Sequence, residues 1–352
     1  MQTIKAIGYQ NNLPIDNEQS LQDITLDKPI ASGRDILVEV KAISVNPVDY
    51  KIREGRPAAE GEYAVIGWDA AGTVTAVGED VSLFSVGDNV YYAGDLTRSG
   101  SNAEYQLVDE RIVGHMPASL SFAEAAALPL TTITAWEMLF DRLQVPVSDS
   151  AANESGSSEN ANNVSVLVIG AAGGVGSILT QLLKTRTSAT IIGTASRDES
   201  VQWLKDLGAD HVINHRNPLS DELQKTGIAE VDYVVSLNNT EDHYEEIIKC
   251  LKPQGKLGLI DDPKSLDANP LKTKSLSLHW EFMFARSMFN TPDMIEQHHL
   301  LNAVAKLIDA GEIKTTVAHN LGAITAEHLR SAHQMLEKQQ AHGKIVLEGW
   351  SA

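Results

Sequence analysis

One cysteine in 352 residues, Cys250, closes two routes at once. No intramolecular disulfide can form, and no multi-cysteine zinc cage can be assembled. Cys250 sits in an amphipathic segment with Ile247, Ile248 and Leu251, the setting of an inert buried thiol. Long apolar runs are missing as well; none approaches the roughly 20 residues that cross a bilayer. The opening M-Q-T-I-K-A-I-G-Y reads as a strand rather than a signal peptide, so the expectation is a cytoplasmic protein that is not exported. Positive charge is scarce: Lys and Arg total 28 against 47 Asp and Glu, a net charge of −19. Without local basic clusters, neither nucleic acid nor an anionic membrane is an expected partner, and the acidic surface reads as a solubility feature.

The length suffices for two domains, each with its own core. The first part is β-rich. Ile36–Ile43 alternates as a strand does, and Thr73–Val77 and Asn89–Tyr92 follow with Gly-Glu-Asp and Val-Gly-Asp turns between them. At Ser121 the pattern turns helical, with Ser121 and Glu124 spaced as a capping box, and helical character continues through Thr132–Leu143. Residues 147–163 hold scarcely an apolar side chain, so they are expected to be a mobile loop. Beyond it strands and helices alternate. Helix Glu199–Leu207 ends at Gly208; strands fall at His211–Asn214, Val231–Leu237 and Lys256–Ile260. That alternation predicts a parallel sheet in an α/β fold. Ser275–Phe284 alternates strongly and is expected to be one more strand. Leu276, Leu278, Trp280, Phe282 and Phe284 would then share a face, as sheet core or a dimer edge. Helices near His298–Ala310 and Ala326–Glu337 and a strand Lys344–Leu347 complete the chain.

The segment richest in chemistry is Val164–Gly176, V-S-V-L-V-I-G-A-A-G-G-V-G. An apolar run ends in a glycine turn, and Val175, Ile178, Leu179, Leu182 and Leu183 then recur at helical spacing. Strand, tight turn and helix present a positive helix end to a pyrophosphate. In the dinucleotide register the key positions are Ala171, Gly173 and Gly176, so alanine stands where the first glycine is expected. The next strand, Ala189–Ala195, ends in Ser196-Arg197-Asp198. An NAD site needs a carboxylate at this strand end for the ribose hydroxyls. Arg197 instead suits the 2′-phosphate of NADPH, whose oxygens a guanidinium binds in pairs. The competing reading leaves Arg197 in solvent and gives the ribose to Asp198.

The whole resembles the medium-chain dehydrogenase/reductase superfamily, and within it the zinc-free quinone oxidoreductase branch, including bacterial "zinc-type alcohol dehydrogenase-like" proteins. The resemblance is carried by Ser44–Arg53 (S-V-N-P-V-D-Y-K-I-R), Gly67–Gly78 (G-W-D-A-A-G-T-V-T-A-V-G), Phe84–Val90, Ala126–Trp136, the glycine turn, Leu207–Arg216 and His342–Leu347. It implies a GroES-like domain from residues 1–130 and 289–352, a Rossmann doubly wound domain from 131–288, a cleft at their junction and a homodimer. Zinc members place cysteine at Asn46, histidine at Trp68 and cysteine near Leu130; asparagine, tryptophan and leucine cannot supply the three ligands of a catalytic zinc. His115, His211, His215 and His298-His299 are scattered and are read as surface histidines, so no metal is expected.

Hydride transfer to a carbonyl, or to an alkene conjugated with one, builds negative charge on oxygen, and without a Lewis acid hydrogen-bond donors must stabilise it. The expected reaction is therefore NADPH-dependent reduction of quinones or α,β-unsaturated carbonyls, the substrate being a small carbonyl compound or quinone. Relatives often carry tyrosine two residues after the aspartate of N-P-x-D. Here Lys51 stands there and the tyrosine is Tyr50. Both are candidate catalytic residues, as is Trp68, which either closes the pocket or packs the core. The resemblance implies Asn46 and Thr134 toward the cofactor, or Asn46 and Asp49 as holders of their loop. It places Gly173, Gly174 and Val175 at the pyrophosphate and Ser196, Arg197 and His215 at the adenosine phosphate. Asn238 and Asp261, at the ends of strands, are cofactor candidates or turn residues.

Overall fold

The computed structural model describes residues 2–148, 164–339 and 341–350. Apart from Val147 and Ser148, the expected mobile loop at 147–163 lies outside the described residues. The chain divides into two compact units, Met1–Ile133 with Met283–Ala352, and Thr134–Phe282.

The first unit begins with eight strands: β1 (Thr3–Tyr9), β2 (Gln22–Asp27), β3 (Asp35–Val45), β4 (Ala64–Val65), β5 (Ala70–Val77), β6 (Asn89–Tyr92), β7 (Tyr105–Asp109) and β8 (Val113–His115). The second unit holds β9 (Ser165–Ile169), β10 (Thr190–Thr194), β11 (His211–Ile213), β12 (Val231–Ser236), β13 (Leu251–Leu259) and β14 (Ser277–Trp280). The chain then returns to the first unit with β15 (Val317–Asn320) and β16 (Lys344–Glu348).

In the first unit a small antiparallel sheet runs β2-β1-β4, and a seven-stranded sheet runs β15-β16-β3-β5-β6-β8 with β7 also on β3. The long strand β3 is buried along most of its length, and β5, β7 and β16 all pair with it. The register sets Ile345 opposite Val45, which brings Lys344 alongside Asn46. The capping box forms: the Ser121 amide donates to Glu124 at 2.8 Å, and the Glu124 amide donates to the Ser121 hydroxyl at 3.3 Å. Helix 296–309 lies on β8 and turns His298 inward, correcting its reading as a surface residue. His298 Nδ1 bonds the Val113 carbonyl at 2.6 Å, and Asn302 Nδ2 bonds its Nε2 at 2.9 Å.

The second unit is a six-stranded parallel sheet in the order β11-β10-β9-β12-β13-β14. The order reverses between β9 and β12, so the ends of these two strands form the switch point at which ligands collect in such sheets. All five residues of β9 are buried, as a strand covered on both faces requires. Leu167, Ile192, Val234, Ile247 and Leu257 share a core with Cys250, and burial pushes its thiol up to about 12.

The expected strand 275–284 is a shorter element. In register Leu259, the last residue of β13, faces Trp280, and beyond Trp280 only the Glu281 amide still reaches β13, donating to the Leu259 carbonyl at 3.1 Å. The alternating side chains therefore do not share a face. Leu276 and Leu278 pack on the core, Trp280 and Phe282 are about half exposed, and Phe284 is buried in the first unit.

Candidate functional site

The glycine turn starts where β9 stops. Gly170 has φ +77, and a Cβ there would lie 2.7 Å from Asn238 Oδ1 at the end of β12. This is the tight-turn glycine, one residue earlier than the sequence register places it. Ala171 is therefore no substitute for it; its side chain is buried, close to Gly193. Gly176 meets the other steric demand, since a Cβ there would sit 2.3 Å from the Ala171 carbonyl oxygen. Helix 174–186 follows with Gly173 as its N-cap, no side-chain cap and no acidic residue in its first turn. The first amides of a helix have no intrahelical acceptor, so those of Gly174, Val175 and Gly176 and the positive helix end are left for an anion. This cradle fits a dinucleotide pyrophosphate at the switch point.

A second feature lies at the ends of β10 and β11. Ser196 is half-buried, and the exposed Arg197 is the N-cap of helix 198–206; no carboxylate precedes Asp198. His215, after β11, is half-buried with its ring centroid 6.4 Å from that of His243. Burial, then the charges of His243, Arg216 and Arg197, hold His215 below the ordinary imidazole value. The structure thus groups the expected Arg197 and His215 with Arg216 and His243, which sequence reasoning missed. His243 lies in the first turn of helix 240–250, a position that becomes legible only once that helix is set against the β11 turn.

Other candidates separate. Both carboxylate oxygens of Asp261 accept from Thr240, the amide at 2.8 Å and the hydroxyl at 2.5 Å, so Asp261 caps helix 240–250. Asn238 is exposed beside Gly170, and Thr134 is almost fully buried in helix 129–136.

The first unit contains a buried polar cluster around Asn46. Asn46 begins helix 47–55, and its amide donates to the Asp49 carboxylate at 2.5 Å, so the pair holds its loop. Its side chain turns elsewhere: Nδ2 donates to Asp69 at 2.7 Å, and Lys344 Nζ donates to its Oδ1 at 2.5 Å. Lys344 also reaches Asp69 at 2.8 Å, and the Leu130 amide donates to the other Asp69 oxygen at 2.8 Å. Asn46, Asp69 and Lys344 are all at most 3 % exposed. Burial raises both carboxyls against the pull of Lys344, Asp49 to about 7. Lys344 and Asp69 had a faint sequence signal: each is a lone charge in an apolar stretch, K-I-V-L and D-A-A-G. Trp68 is fully buried, edge-on to Phe284, with its indole donating to the Asp95 carbonyl at 3.2 Å. Tyr50 is half-buried and Lys51 exposed on helix 47–55.

A zinc ion does not fit at Asn46, Trp68 and Leu130. The amide oxygen of Asn46 is occupied by an ammonium group, the indole of Trp68 is a donor only, and Leu130 contributes a backbone donor. Lys344 adds a positive charge where a cation would have to enter. Among the described residues no cluster of three His, Cys, Asp or Glu side chains is placed to hold a metal. Nor is any helix among them long and apolar enough to cross a membrane.

Comparison with known proteins agrees with this architecture. The alcohol dehydrogenase GroES-like domain profile matches residues 32–134, and the zinc-binding dehydrogenase profile matches residues 207–347. A zinc-type alcohol dehydrogenase-like protein of Staphylococcus aureus (strain MSSA476) is 42 % identical over 345 residues, 98 % of this chain and 99 % of its own. A crystal structure from Rhizobium etli CFN 42, of a protein named as a zinc-dependent alcohol dehydrogenase, is 49 % identical with a TM-score of 0.93, covering 100 % of both chains. The Escherichia coli quinone oxidoreductase complexed with NADPH is 25 % identical with a TM-score of 0.76, covering 99 % of this chain and 100 % of the other. The chain, with its GroES-like unit and its parallel dinucleotide-type sheet, belongs to the medium-chain dehydrogenase/reductase superfamily and is an oxidoreductase of that type.

Proposed function

We propose that this protein is an NADPH-dependent, zinc-independent reductase of quinones or α,β-unsaturated carbonyls. The observation that carries the reading is the Asn46–Asp69–Lys344 cluster, in which the amide oxygen of Asn46, one of the three positions that hold the metal in zinc members, is taken by the Lys344 ammonium group. A metal-free site favours acceptors whose developing charge spreads over an enolate or a quinol, because no Lewis acid has to hold it on one oxygen. When bound, NADPH supplies the hydride. Gly173, Gly174 and Val175 receive the pyrophosphate at the helix end, and Ser196, Arg197 and His215 receive the adenosine phosphate. The absence of a carboxylate ahead of Asp198 supports NADPH over NADH. Tyr50 and Lys51 are the donors proposed for the acceptor oxygen, while Trp68, fully buried, packs the core. We further propose a homodimer, which size-exclusion chromatography with light scattering tests.

Steady-state NADPH oxidation with a panel of quinones and alkenals tests the activity. Turnover with conjugated acceptors and none with simple aldehydes is the expected result, unchanged after chelation. NADPH binding without turnover on any acceptor would instead make the protein a cofactor-binding protein. Arg197→Asp is expected to weaken NADPH at least tenfold more than NADH, the scale of one charge-assisted phosphate contact. Equal losses for the two cofactors would remove Arg197 from the site.

A further inference from the structure

On the reading that NADPH is the cofactor, we propose that His215 and His243 form a proton-linked clamp for its 2′-phosphate, so that pH sets the choice between NADPH and NADH. The two rings stand 6.4 Å apart, centroid to centroid, at 73°. That spacing leaves room for one phosphate oxygen to accept from both. Neither ring makes a hydrogen bond to the described residues, although His215 is half-buried. Their positions differ in origin. His215 follows β11, whereas His243 lies in the first turn of helix 240–250, whose N-terminal end Asp261 already caps.

The charges around the pair are known from each side. Arg197 comes from the end of β10 and Arg216 from the turn after β11, and both act on His215. Glu222, on helix 219–225, is taken up by the Asn214 amide, by Asn217 and by Lys225. Glu246, one turn beyond His243, is taken up by Ser220 and Lys249. Asp198 and Glu199 open helix 198–206 and Glu241 and Asp242 open helix 240–250, all four exposed to solvent. Burial first, and then a second imidazole and two arginines, disfavour the imidazolium form of His215 in the free protein. A phosphate dianion reverses that field and favours the imidazolium, so binding draws a proton from solvent. NADH brings no such charge.

The linkage has a fixed sign. Each proton taken up strengthens NADPH binding tenfold per unit fall in pH, at most, and leaves NADH untouched. Calorimetric titration of the full chain with NADPH and NADH between pH 6.5 and 8.5 tests this, above the ~6 at which a phosphate monoester itself takes a proton. Buffers of different ionisation enthalpy count the protons directly. The expected result is net proton uptake with NADPH only, and a preference for NADPH that falls about three- to tenfold per pH unit where His215 titrates. His215→Gln and His243→Gln should flatten that slope while Arg197 still favours NADPH; a urea unfolding midpoint like that of wild type reports that both variants fold. A preference for NADPH that is independent of pH, without proton uptake, overturns the clamp and leaves the cofactor reading standing. No preference for NADPH at any pH overturns both.

Discussion

His333 offers a sharp test of how burial sets stability in the first unit. It lies on helix 326–337, is fully buried, and neither ring nitrogen finds a hydrogen-bond partner among the described residues. Arg53, also fully buried, is held close by the Leu13 carbonyl and Glu337, both at 2.5 Å. Burial first, and then the Arg53 charge, hold the imidazole down to about 3. The unfolded chain takes the proton below about pH 6.5, and the native state refuses it until about pH 3. Stability is therefore lost as pH falls through that window. At pH 5 the unfolded state gains about 1.5 pK units of protonation free energy over the native state, or about 2 kcal/mol relative to pH 8. His333→Leu keeps the volume and removes both unpaired nitrogens, so it should be at least as stable as wild type at pH 8. Urea denaturation of the two proteins at pH 8, 6.5 and 5 measures the difference, in which every other titrating group cancels. The variant's advantage should grow by about 2 kcal/mol between pH 8 and pH 5. An advantage that is the same at all three values would show that His333 is protonated or partnered in the native state, and would refute the reasoning.

Other expectations follow from single contacts. Lys344→Met strands the fully buried Asp69 without its ion pair and should cost about 3–5 kcal/mol, whereas adding Asp69→Asn should recover much of it; both are read from denaturation midpoints. Gly176→Ala drives a Cβ into the Ala171 carbonyl, which is backbone and cannot swing aside, so cofactor affinity should fall at least tenfold in a fluorescence titration. The Cys250 thiol, pushed up to about 12 within the core, should resist a thiol reagent at pH 8 until denaturant is added.

Much of the fold was legible because local pattern and tertiary demand agree. The alternation of Ile36–Ile43 became β3, and Ser121 with Glu124 became a capping box, because each signal depends on neighbours three residues away or fewer. The strand expected over Ser275–Phe284 is shorter for the opposite reason: its length is set by where β13 ends, which no pattern within the segment records. Gly173 and Gly176 keep the places the sequence register assigns them, and only the tight-turn role falls to Gly170 rather than Ala171, because a Gly-Ala-Ala-Gly-Gly run permits either. Only the positive φ of Gly170 and its closeness to Asn238 choose between them.

The sequence by itself determined the class of the protein. A glycine turn between an apolar run and a helix, an arginine in place of an acidic strand end, and residues that cannot ligate at three zinc positions are all properties of residue type and order. The tertiary structure decided what fills the places so defined. It brought Lys344 from the last strand onto Asn46 and Asp69, turned Asp261 into a helix cap, and set His243 beside His215. Such pairings join residues far apart along the chain, and their energies depend on burial and register. Those quantities exist only once β16 lies against β3 and the helices are seated on the parallel sheet.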